Sequence, residues 1–462
     1  MLNFWELKNN STKEVTMKKF FLTSILFLFV FSTPFRGQEK ITAPAWSDDQ
    51  TIYEVNLRQF TPSGTIAEFR THLPRLKKLG AGILWFMPIH PIGDKNRKGT
   101  LGSYYSVKDY IGLDPALGTK KEFQSLVKEI HKLGMHVIID WVANHTSWDN
   151  DLVKTHPEFY TKDSAGKFLP PVADWSDVID LNYDNKELWQ YMSGAMEYWL
   201  KEYNIDGFRC DVAGMVPDEF WSFLYPKLSA HKNIFMLAED ERPADHSTSF
   251  AMTYSWNLYH LFNEIAKGKK PASEIFTQLQ KEKSEYPANA FRMRFITNHD
   301  ENSWNGTEFE RIGDGVKAFS VLTFTLPGMP LLYNGQEVGL NKRLSFFEKD
   351  TIEWEKSELT PFFKTLTKLK IDFEVLDAGD KGAKLEEVKN SNDDKIVSFI
   401  RSSGTEKVFV VVNLSKEKVS ANFASAPEMK NASEYFSKKK VKIGKSFSVE
   451  LKPWGYKIFT SK

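Results

Sequence analysis

The chain has 462 residues, of which 41% are hydrophobic and 14% aromatic, a composition that supports a sizeable core and more than one domain. Its 61 Lys and Arg residues against 60 Asp and Glu residues leave a net charge of +1, so the charge balance gives no reason to expect nucleic acid or an acidic partner. The single cysteine, Cys210, excludes an intramolecular disulfide, a cysteine-based metal site and a lipidated cysteine behind an export signal.

The first feature along the chain has the layout of a leader. Met17 is followed by two lysines, an apolar run over residues 20–31, and then small and polar residues. This order is typical of a secretory signal, and the apolar run is short for a bilayer span. We therefore expect residues 1–38 to comprise upstream residues and a signal peptide, and the protein to be exported, either periplasmic or secreted. The alternative is a short membrane anchor that stays in place.

Eight short apolar runs then alternate with helical patterns. The runs are TIYEVNL, GILWFMPI, HVIIDWV, GFRCDV, IFMLAED, AMTYSW, FRMRFIT and PLLYNGQE. Between the second and third runs, the segment KKEFQSLVKEIHKLG repeats apolar residues at helical spacing, and Gly134 ends it. Strands alternating with helices predict a (β/α)8 TIM barrel, which we assign to residues 39–376.

Two segments depart from this alternation. The connection after the third run is too long for an ordinary loop, so residues 145–185 are predicted to form a small inserted domain over the barrel mouth. Beyond residue 376, the segments KIVSFIRSS, KVFVVVNLS and SFSVELKPWGYKIF read as strands separated by turn residues. Residues 377–462 are therefore predicted to form a C-terminal antiparallel β-sandwich domain.

Polar residues follow the predicted strands at their carboxyl ends, where TIM barrels carry their reactive groups. They are Asp140, Asn144 and His145 after the third run, Arg209 and Asp211 in the fourth, Glu239 in the fifth, and His299 and Asp300 after the seventh. Three of these carboxylates come from three different strands and would converge on one cleft, namely Asp211, Glu239 and Asp300. A retaining glycosidase needs a carboxylate nucleophile and a protonatable acid about 5 Å apart. The third carboxylate can hold sugar hydroxyls and stabilise positive charge on the ring.

Arg209 and Asp211 lie two residues apart, so on a strand their side chains share a face. A guanidinium favours the charged form of a neighbouring carboxylate, and Arg209 is therefore expected to keep Asp211 ionised at neutral pH. Cys210, between them, is expected to point into the barrel wall. Each polar residue alone is also compatible with a structural role, such as a turn, a buried ion pair or a hydrogen-bonded histidine. Only the occurrence of all these polar residues together, each at the end of a predicted strand, points specifically to an active site.

These segments resemble the conserved blocks of glycoside hydrolase family thirteen, the α-amylase family. The matching blocks, in family order, are GSYYSVKDY, DWVANH, GFRCD, FMLAED, FITNHD and PGMPLLYNGQE. The resemblance extends over residues 48–462. It implies that Asp211 is the nucleophile, Glu239 the general acid and Asp300 the stabiliser of the transition state. It also implies that five further residues contact the substrate, namely Tyr105, Asp140, His145, Arg209 and His299.

The resemblance implies a retaining glycoside hydrolase that cleaves α-1,4-glucosidic bonds of starch-derived glucans or maltooligosaccharides through a covalent glycosyl-aspartate intermediate. The implied partner is that α-glucan or maltooligosaccharide. No organic cofactor and no nucleic acid are expected, and no membrane association is expected after the signal is cleaved. One alternative is a transglycosylase or trehalose-forming isomerase with the same site. Another is a non-catalytic sugar-binding protein, although relatives of that kind have lost acids that this chain retains.

Two departures from the family pattern affect substrate and metal. Ala213, Gly214 and Met215 stand where many endo-acting members carry a lysine and a histidine on the leaving-group side, which leaves hydrolysis of shorter substrates open. Asn144 matches a calcium ligand of several members and is a possible weak calcium ligand here. However, Asn182 stands where a carboxylate is common, and the segment TPSGTIAEF lacks aspartate. Because calcium requires several oxygen ligands, many of them charged, we expect no strongly bound calcium and no required cofactor.

Overall fold

The fold is described from a computed structural model that covers residues 41–461. Residues 1–38, predicted to be upstream residues and a signal peptide, lie outside this range. None of the helices between residues 41 and 461 combines the length and the apolar character that crossing a bilayer demands.

The first ten strands build the barrel and a separate two-stranded sheet. In chain order they are Ile52–Val55 (β1), Ile83–Phe86 (β2), His136–Trp141 (β3), His145–Ser147 (β4), Val178–Asp180 (β5), Gly207–Cys210 (β6), Phe235–Ala238 (β7), Met252–Tyr254 (β8), Phe291–Arg294 (β9) and Met329–Tyr333 (β10). All except β4 and β5 pair in parallel and close into a barrel in the order β1, β10, β9, β8, β7, β6, β3, β2. The predicted eight-stranded parallel barrel is confirmed.

Helices separate the strands. They are Leu57–Phe60 (α1), Ile66–Arg70 (α2), Leu73–Leu79 (α3), Lys120–Lys132 (α4), Leu152–Thr155 (α5), Lys186–Tyr203 (α6), Asp218–Ser229 (α7), Trp256–Ala266 (α8), Glu274–Glu285 (α9), Glu308–Ile312 (α10), Val316–Thr325 (α11) and Leu359–Asp372 (α12). Local sequence sets the start of α4, where Thr119 and Glu122 form a reciprocal capping box. Helix α6 begins after Asn185, whose side chain accepts a hydrogen bond from the Glu187 N–H.

The interior of the barrel is a separate apolar cluster. Alternate strand residues such as Ile52, Ile138, Leu237 and Met293 point inward and pack together, while the residues between them pack against the helices. Such filled layers make the barrel a closed core and leave its carboxyl end as the place for chemistry.

Strand β6 is fixed at its amino end by two neighbouring residues. An added Cβ on Gly207 would lie 1.8 Å from the carbonyl oxygen of Phe235, so only glycine permits this close approach of β6 to β7. The Asp206 carboxylate accepts hydrogen bonds from the Val137 N–H at 2.8 Å and from Lys232 Nζ at 2.9 Å, and lies 2.7 Å from His131 Nε2. These contacts hold the start of the strand that carries Arg209.

Two antiparallel regions complete the described chain. The excursion after β3 contains the two-stranded antiparallel sheet of β4 and β5, with His145 opposite Asp180. The C-terminal strands are Leu385–Glu387 (β11), Ile396–Ser403 (β12), Glu406–Asn413 (β13), Val419–Phe423 (β14), Met429–Glu434 (β15), Lys440–Ile443 (β16), Phe447–Leu451 (β17) and Tyr456–Thr460 (β18). Six of them form a sheet in the order β11, β12, β13, β18, β15, β16, and β14 pairs with β17. The antiparallel C-terminal region is confirmed, and the domain boundaries stay predictions.

Candidate active site

A layer of polar side chains lies at the carboxyl end of the barrel. Glu54 in β1, Asp140 in β3, Arg209 in β6 and Tyr254 in β8 occupy the inward positions directly above the apolar layers. All four are buried. Buried polar groups need partners, and the contacts within this layer supply most of them.

Arg209 is the centre of the layer. Its Nη1 lies 2.8 Å from Asp140 Oδ1 and 3.0 Å from Asp211 Oδ1, while its Nη2 lies 2.9 Å from Glu239 Oε1. Its Nε donates to the hydroxyl of Tyr254 at 3.2 Å. The structure therefore brings the carboxylates of Asp211 and Glu239 to adjacent nitrogens of one guanidinium.

The second oxygen of Glu239 is held by the backbone. Glu239 Oε2 accepts a hydrogen bond from the Val212 N–H at 2.7 Å. Val212 has φ 38°, in the left-handed region, which costs a β-branched residue on the order of 1–3 kcal/mol. This strained backbone directs the N–H toward Glu239, so the turn after Asp211 helps to position the neighbouring acid.

His299 joins the opposite side of the layer to Arg209. Its Nδ1 lies 2.5 Å from Glu54 Oε1, and its Nε2 lies 3.2 Å from Asp300 Oδ2 and 2.7 Å from the Tyr105 hydroxyl. Burial acts against a charged imidazole, but Asp300 and Glu54 outweigh it and raise the pKa of His299 well above its ordinary value. His299 is therefore an imidazolium between two carboxylates at neutral pH.

Asp300 and Tyr105 complete the ring of contacts. The Asp300 side chain is 34% exposed, whereas those of Asp211 and Glu239 are only 10% and 13% exposed, so Asp300 is the most open of the three acids. Burial raises its pKa, but His299 outweighs that effect and lowers it. The Tyr105 hydroxyl donates to Asp140 Oδ2 at 3.3 Å. A continuous polar network thus contains all three predicted catalytic acids.

Comparison with known proteins places this geometry in a family. The family model described as the alpha-amylase catalytic domain matches residues 29–169 and 171–443. The chain belongs to the alpha-amylase family. It is therefore a glycoside hydrolase, and the amylase-like barrel expected from sequence is confirmed.

Individual relatives in the alpha-amylase family agree with this assignment. The chain is similar to a noncanonic maltogenic alpha-amylase, AmyB, from Thermotoga neapolitana, with a TM-score of 0.82 and 30% identity over 89% of this chain and 98% of that one. It is 25% identical to alpha-amylase 2 of Dictyoglomus thermophilum, over 81% of this chain and 71% of that protein. It is also 25% identical to a cyclomaltodextrinase from a Bacillus species, over 85% of this chain and 76% of that protein.

Burial and neighbouring groups set the pKa of Asp211 in this amylase-family site. Burial raises the pKa of Asp211 well above its ordinary value, Glu239 raises it further, and Arg209 opposes them without reversing the shift. Arg209 lowers the pKa of Asp211, as predicted, but one guanidinium serves three carboxylates and does not offset burial. That Asp211 is ionised at neutral pH stays a prediction. Burial likewise raises the pKa of Asp140 to about 6, against the effect of Arg209.

His145 lies outside the charged network. Burial lowers its pKa to about 3, so the ring is neutral, and it contacts the backbone of Tyr105. Its Nδ1 lies 3.2 Å from the side-chain nitrogen of Asn144. His145 thereby joins the start of the excursion to the segment that carries Tyr105, and its predicted contact with substrate stays a prediction.

The surroundings of Asn144 do not fit a calcium site well. Its side-chain nitrogen faces His145, and the Asn182 side chain accepts from the Asp184 N–H at 3.1 Å. Among residues 41–461, no group of three or more His, Cys, Asp or Glu side chains is arranged to hold a metal ion. Calcium requires several oxygen ligands, so we derive no catalytic step through a metal.

Sequence reasoning missed three residues that contact this site. Glu54 pairs with His299, the Tyr254 hydroxyl accepts from Arg209, and the side chain of Trp304 hydrogen-bonds Asp300. Glu54 and Tyr254 interrupt otherwise apolar strands, which is the one signal that the sequence offered. Cys210, in contrast, is buried in the apolar cluster outside the barrel, as expected.

Proposed function

We propose that the protein is a retaining hydrolase of α-1,4-linked glucans or maltooligosaccharides. The observation that carries the proposal is the placement of Asp211 and Glu239 on adjacent nitrogens of the Arg209 guanidinium. Two carboxyl groups held this close suit attack and protonation at one glycosidic bond. Membership of the alpha-amylase family supports the choice of an α-linked glucan.

In the first step, Asp211 attacks the anomeric carbon while the acid form of Glu239 gives its proton to the departing glycosidic oxygen. A covalent bond forms between the sugar and the aspartate as the glycosidic bond breaks. In the second step, Glu239 takes a proton from water, the water oxygen attacks the anomeric carbon, and Asp211 is released. The sugar keeps its α configuration because the carbon is inverted twice.

The remaining polar residues act on the sugar at the point of cleavage. The exposed Asp300 carboxylate accepts hydrogen bonds from ring hydroxyls, and its negative charge stabilises the positive charge that develops on the sugar. His299 donates from its imidazolium to a hydroxyl and fixes Asp300. Tyr105 presents its ring to the same sugar, and Asp140 balances Arg209 beneath it.

The test is the stereochemistry of the first product. Maltotetraose is mixed with wild-type protein, and the anomeric protons of the products are followed by NMR before mutarotation. We expect α-anomers to appear first and the Asp211→Asn variant to be inactive. First appearance of β-anomers would overturn the two-step mechanism. Equal activity of Asp211→Asn would remove Asp211 as the nucleophile.

The same reaction distinguishes the alternatives. With maltotriose, we expect glucose and maltose as the early products. Longer oligosaccharides or trehalose appearing ahead of them would show glycosyl transfer instead of hydrolysis. Binding of maltotriose without any turnover would show a sugar-binding protein and refute the proposal.

Export and metal independence are part of the proposal. The sequence of residues 17–38 supports export, and the fraction that contains the enzyme, with the amino-terminal residue found by mass spectrometry, tests it. The residues around Asn144 support activity without calcium. Dialysis against EDTA is therefore expected to leave the initial rate within about twofold, and a loss restored by Ca²⁺ would contradict this.

A further inference from the structure

The charge of the chain is distributed unevenly along its length. Residues 377–462 contain 17 Lys and Arg residues against 11 Asp and Glu residues, although the whole chain has 61 against 60. The C-terminal part is therefore basic and the remainder acidic. The expectation of no acidic partner used the net charge of the whole chain, which hides this distribution. Charge asymmetry of this kind indicates a surface that faces an anionic partner.

Six lysines supply most of this excess. They lie within residues 429–445, on strands β15 and β16 and in the turns beside them, and are Lys430, Lys438, Lys439, Lys440, Lys442 and Lys445. We call these six residues the lysine strip. All six are exposed. None of them forms an ion pair within residues 41–461, whereas Lys389, Lys395 and Lys418 in the same C-terminal region each pair with an acid.

The one acid of this segment does not reach the surface. Glu434 is the sole Asp or Glu residue within residues 429–445, and it is 4% exposed. Its carboxylate accepts hydrogen bonds from the backbone N–H groups of Ser437 at 2.8 Å and Phe436 at 3.3 Å, and lies 3.8 Å from Lys457 Nζ. The exposed charges of residues 429–445 are therefore all positive.

Protection of the sheet edge does not require this many lysines. Strand β16 is at the edge of its sheet, and charged side chains on an edge strand prevent pairing with another chain. Lys440 and Lys442 meet that need, because both lie on β16. The other four lysines lie in turns or on β15, outside the free edge, so edge protection does not explain them.

The lysine strip adjoins the end of the barrel that is remote from the catalytic acids. Lys438 Nζ lies 3.7 Å from the centre of the Tyr435 ring, and the Tyr435 hydroxyl donates to Asp372 Oδ2 at 3.1 Å. Asp372 ends α12, and Lys370, two residues earlier, donates to the carbonyl of Gly328 at 3.4 Å. Gly328 directly precedes β10, so these contacts lie at the amino end of the barrel strands. Because the catalytic acids lie at the carboxyl end, a surface that binds the strip leaves the catalytic mouth open to solution.

The chemistry of the lysine strip fits a diffuse anionic surface better than a nucleic acid. All six residues are lysines, whose ammonium is a compact point charge, whereas arginine carries the planar fork that suits nucleic-acid phosphates. Residues 429–445 also offer no exposed aromatic ring on which bases could stack, since Tyr435 is 6% exposed and the Phe436 ring stacks on Phe362. Anionic lipid headgroups require neither feature, because they attract clusters of about four to eight basic residues by charge alone.

We propose that the lysine strip binds the protein to the surface of an anionic lipid bilayer, with the catalytic mouth turned toward solution. Each lysine near such a surface increases the partition coefficient by about fivefold, and salt screens this attraction. The inference goes beyond the proposed hydrolysis and does not depend on it. It holds the enzyme at a membrane while dissolved glucan chains reach its site.

The test measures co-sedimentation of the full chain with two kinds of lipid vesicle. One kind contains phosphatidylcholine alone, and the other contains phosphatidylcholine and anionic phosphatidylglycerol in equal amounts. The measured quantity is the ratio of the two partition coefficients, so that any contribution from the apolar run at residues 20–31 cancels. At low salt, we expect the anionic vesicles to bind the protein at least about tenfold more strongly. At about 0.5 M NaCl, the ratio should approach one.

Two triple variants separate the lysine strip from net charge. The strip variant carries Lys438→Gln, Lys440→Gln and Lys442→Gln. The control variant removes the same charge from the same region through Lys389→Gln, Lys395→Gln and Lys418→Gln. The strip variant should lower the ratio by at least about tenfold, and the control should stay within about twofold of wild type. Melting temperatures confirm folding, and if the strip variant does not fold, the pair Lys440→Gln and Lys442→Gln decides, with an expected loss of at least about fivefold.

The possible outcomes distinguish this proposal from its alternatives. A ratio near one for wild type, or equal losses in both variants, would refute the lysine strip as a membrane-binding surface. Tighter binding to a short DNA duplex than to anionic vesicles at the same salt would refute the choice of lipid. Vesicle-bound protein should hydrolyse maltotriose within about twofold of the free rate, and loss of activity on binding would refute the orientation. Vesicle binding by a protein without hydrolytic activity would support the strip and overturn only the proposed hydrolysis.

Discussion

Replacement of Glu54 by Gln tests the electrostatic role of a residue that the sequence did not reveal. Glu54 Oε1 lies 2.5 Å from His299 Nδ1, and Glu54 Oε2 has no hydrogen-bond partner within the described residues. The substitution Glu54→Gln keeps the shape of the side chain and the acceptor for the imidazole. It removes the negative charge and places a buried amide NH2 where no partner stands.

The expected size follows from hydrogen-bond energies. Hydrogen bonds to charged groups contribute about 1.5–3 kcal/mol and neutral ones about 1 kcal/mol, so the change removes on the order of 1 kcal/mol from the charged form of His299. The pKa of His299 should therefore fall by about one unit. Because the imidazolium also fixes Asp300, we expect kcat/KM to fall by about tenfold. The unpaired NH2 should lower the free energy of unfolding by about 1–3 kcal/mol.

Two measurements check these values. Proton and carbon NMR of the histidine rings, with His299→Gln used for assignment, follows the His299 titration in wild type and in Glu54→Gln. Initial rates with maltotriose give kcat/KM for both proteins. The matched control is Glu308→Gln, because Glu308 is also a buried carboxylate but lies in α10 outside the polar layer. It should change neither His299 nor the rate.

The outcome that refutes the reasoning is clear. If Glu54→Gln leaves both the His299 titration and kcat/KM unchanged, Glu54 does not tune the imidazole. If Glu308→Gln reproduces the loss of activity, the effect comes from general loss of a buried carboxylate.

Four further outcomes follow from the structure. Because burial and Glu239 raise the pKa of Asp211, kcat/KM should decline on the acid side at a pH above the ordinary aspartate value of 3.8. In Glu239→Gln, assayed with α-maltosyl fluoride, this decline should move to lower pH. An unmoved decline would show that Glu239 does not affect the pKa of Asp211. Partners at the amino end of β6 lower the pKa of Asp206 against the effect of burial, so its stabilisation is present above pH 3.8 and lost as pH falls further. Asp206→Asn should accordingly reduce the free energy of unfolding at pH 7 by about 2–4 kcal/mol, with full activity at low temperature; denaturation by urea measures this. Burial raises the pKa of Glu308 from 4.5 to about 7, so folding disfavours its charge as pH rises through that window. The change in the free energy of unfolding caused by Glu308→Gln, measured by denaturation in urea, should therefore be about 2 kcal/mol more favourable at pH 8 than at pH 4. An added Cβ on Gly214 would lie 2.0 Å from Asp240 Oδ2, so Gly214→Ala should displace that carboxylate and lower both melting temperature and activity; wild-type values would show that the carboxylate moves freely.

The fold was predictable because local signals and global topology agree. Each barrel strand is a short apolar run, and α4 and α6 carry their own caps, so the alternation needs no long-range information. The positions of Asp211, Glu239 and Asp300 followed from strand ends, which any parallel barrel brings to one edge.

What escaped prediction depends on contacts between distant segments. Glu54 and His299 are separated by 245 residues, and the sequence around Glu54 contains no pattern that predicts their contact. The ring of Trp304 packs against those of Phe346 and Phe347, which are about 40 residues away along the chain and meet it only in the folded barrel. The pKa of Asp211 depends on how deeply it is buried and on how many carboxylates reach Arg209, and both are properties of the folded arrangement.

The sharing of Arg209 among Asp140, Asp211 and Glu239 has a consequence for how the site changes over generations. Replacement of any one acid alters the proton affinity of the other two, so the effects of combined substitutions will not sum. A substitution at one of the three acids therefore changes the effect that a later substitution at either of the others has on activity. Homologous sequences are therefore expected either to keep Arg209 and all three acids or to have lost several of them together.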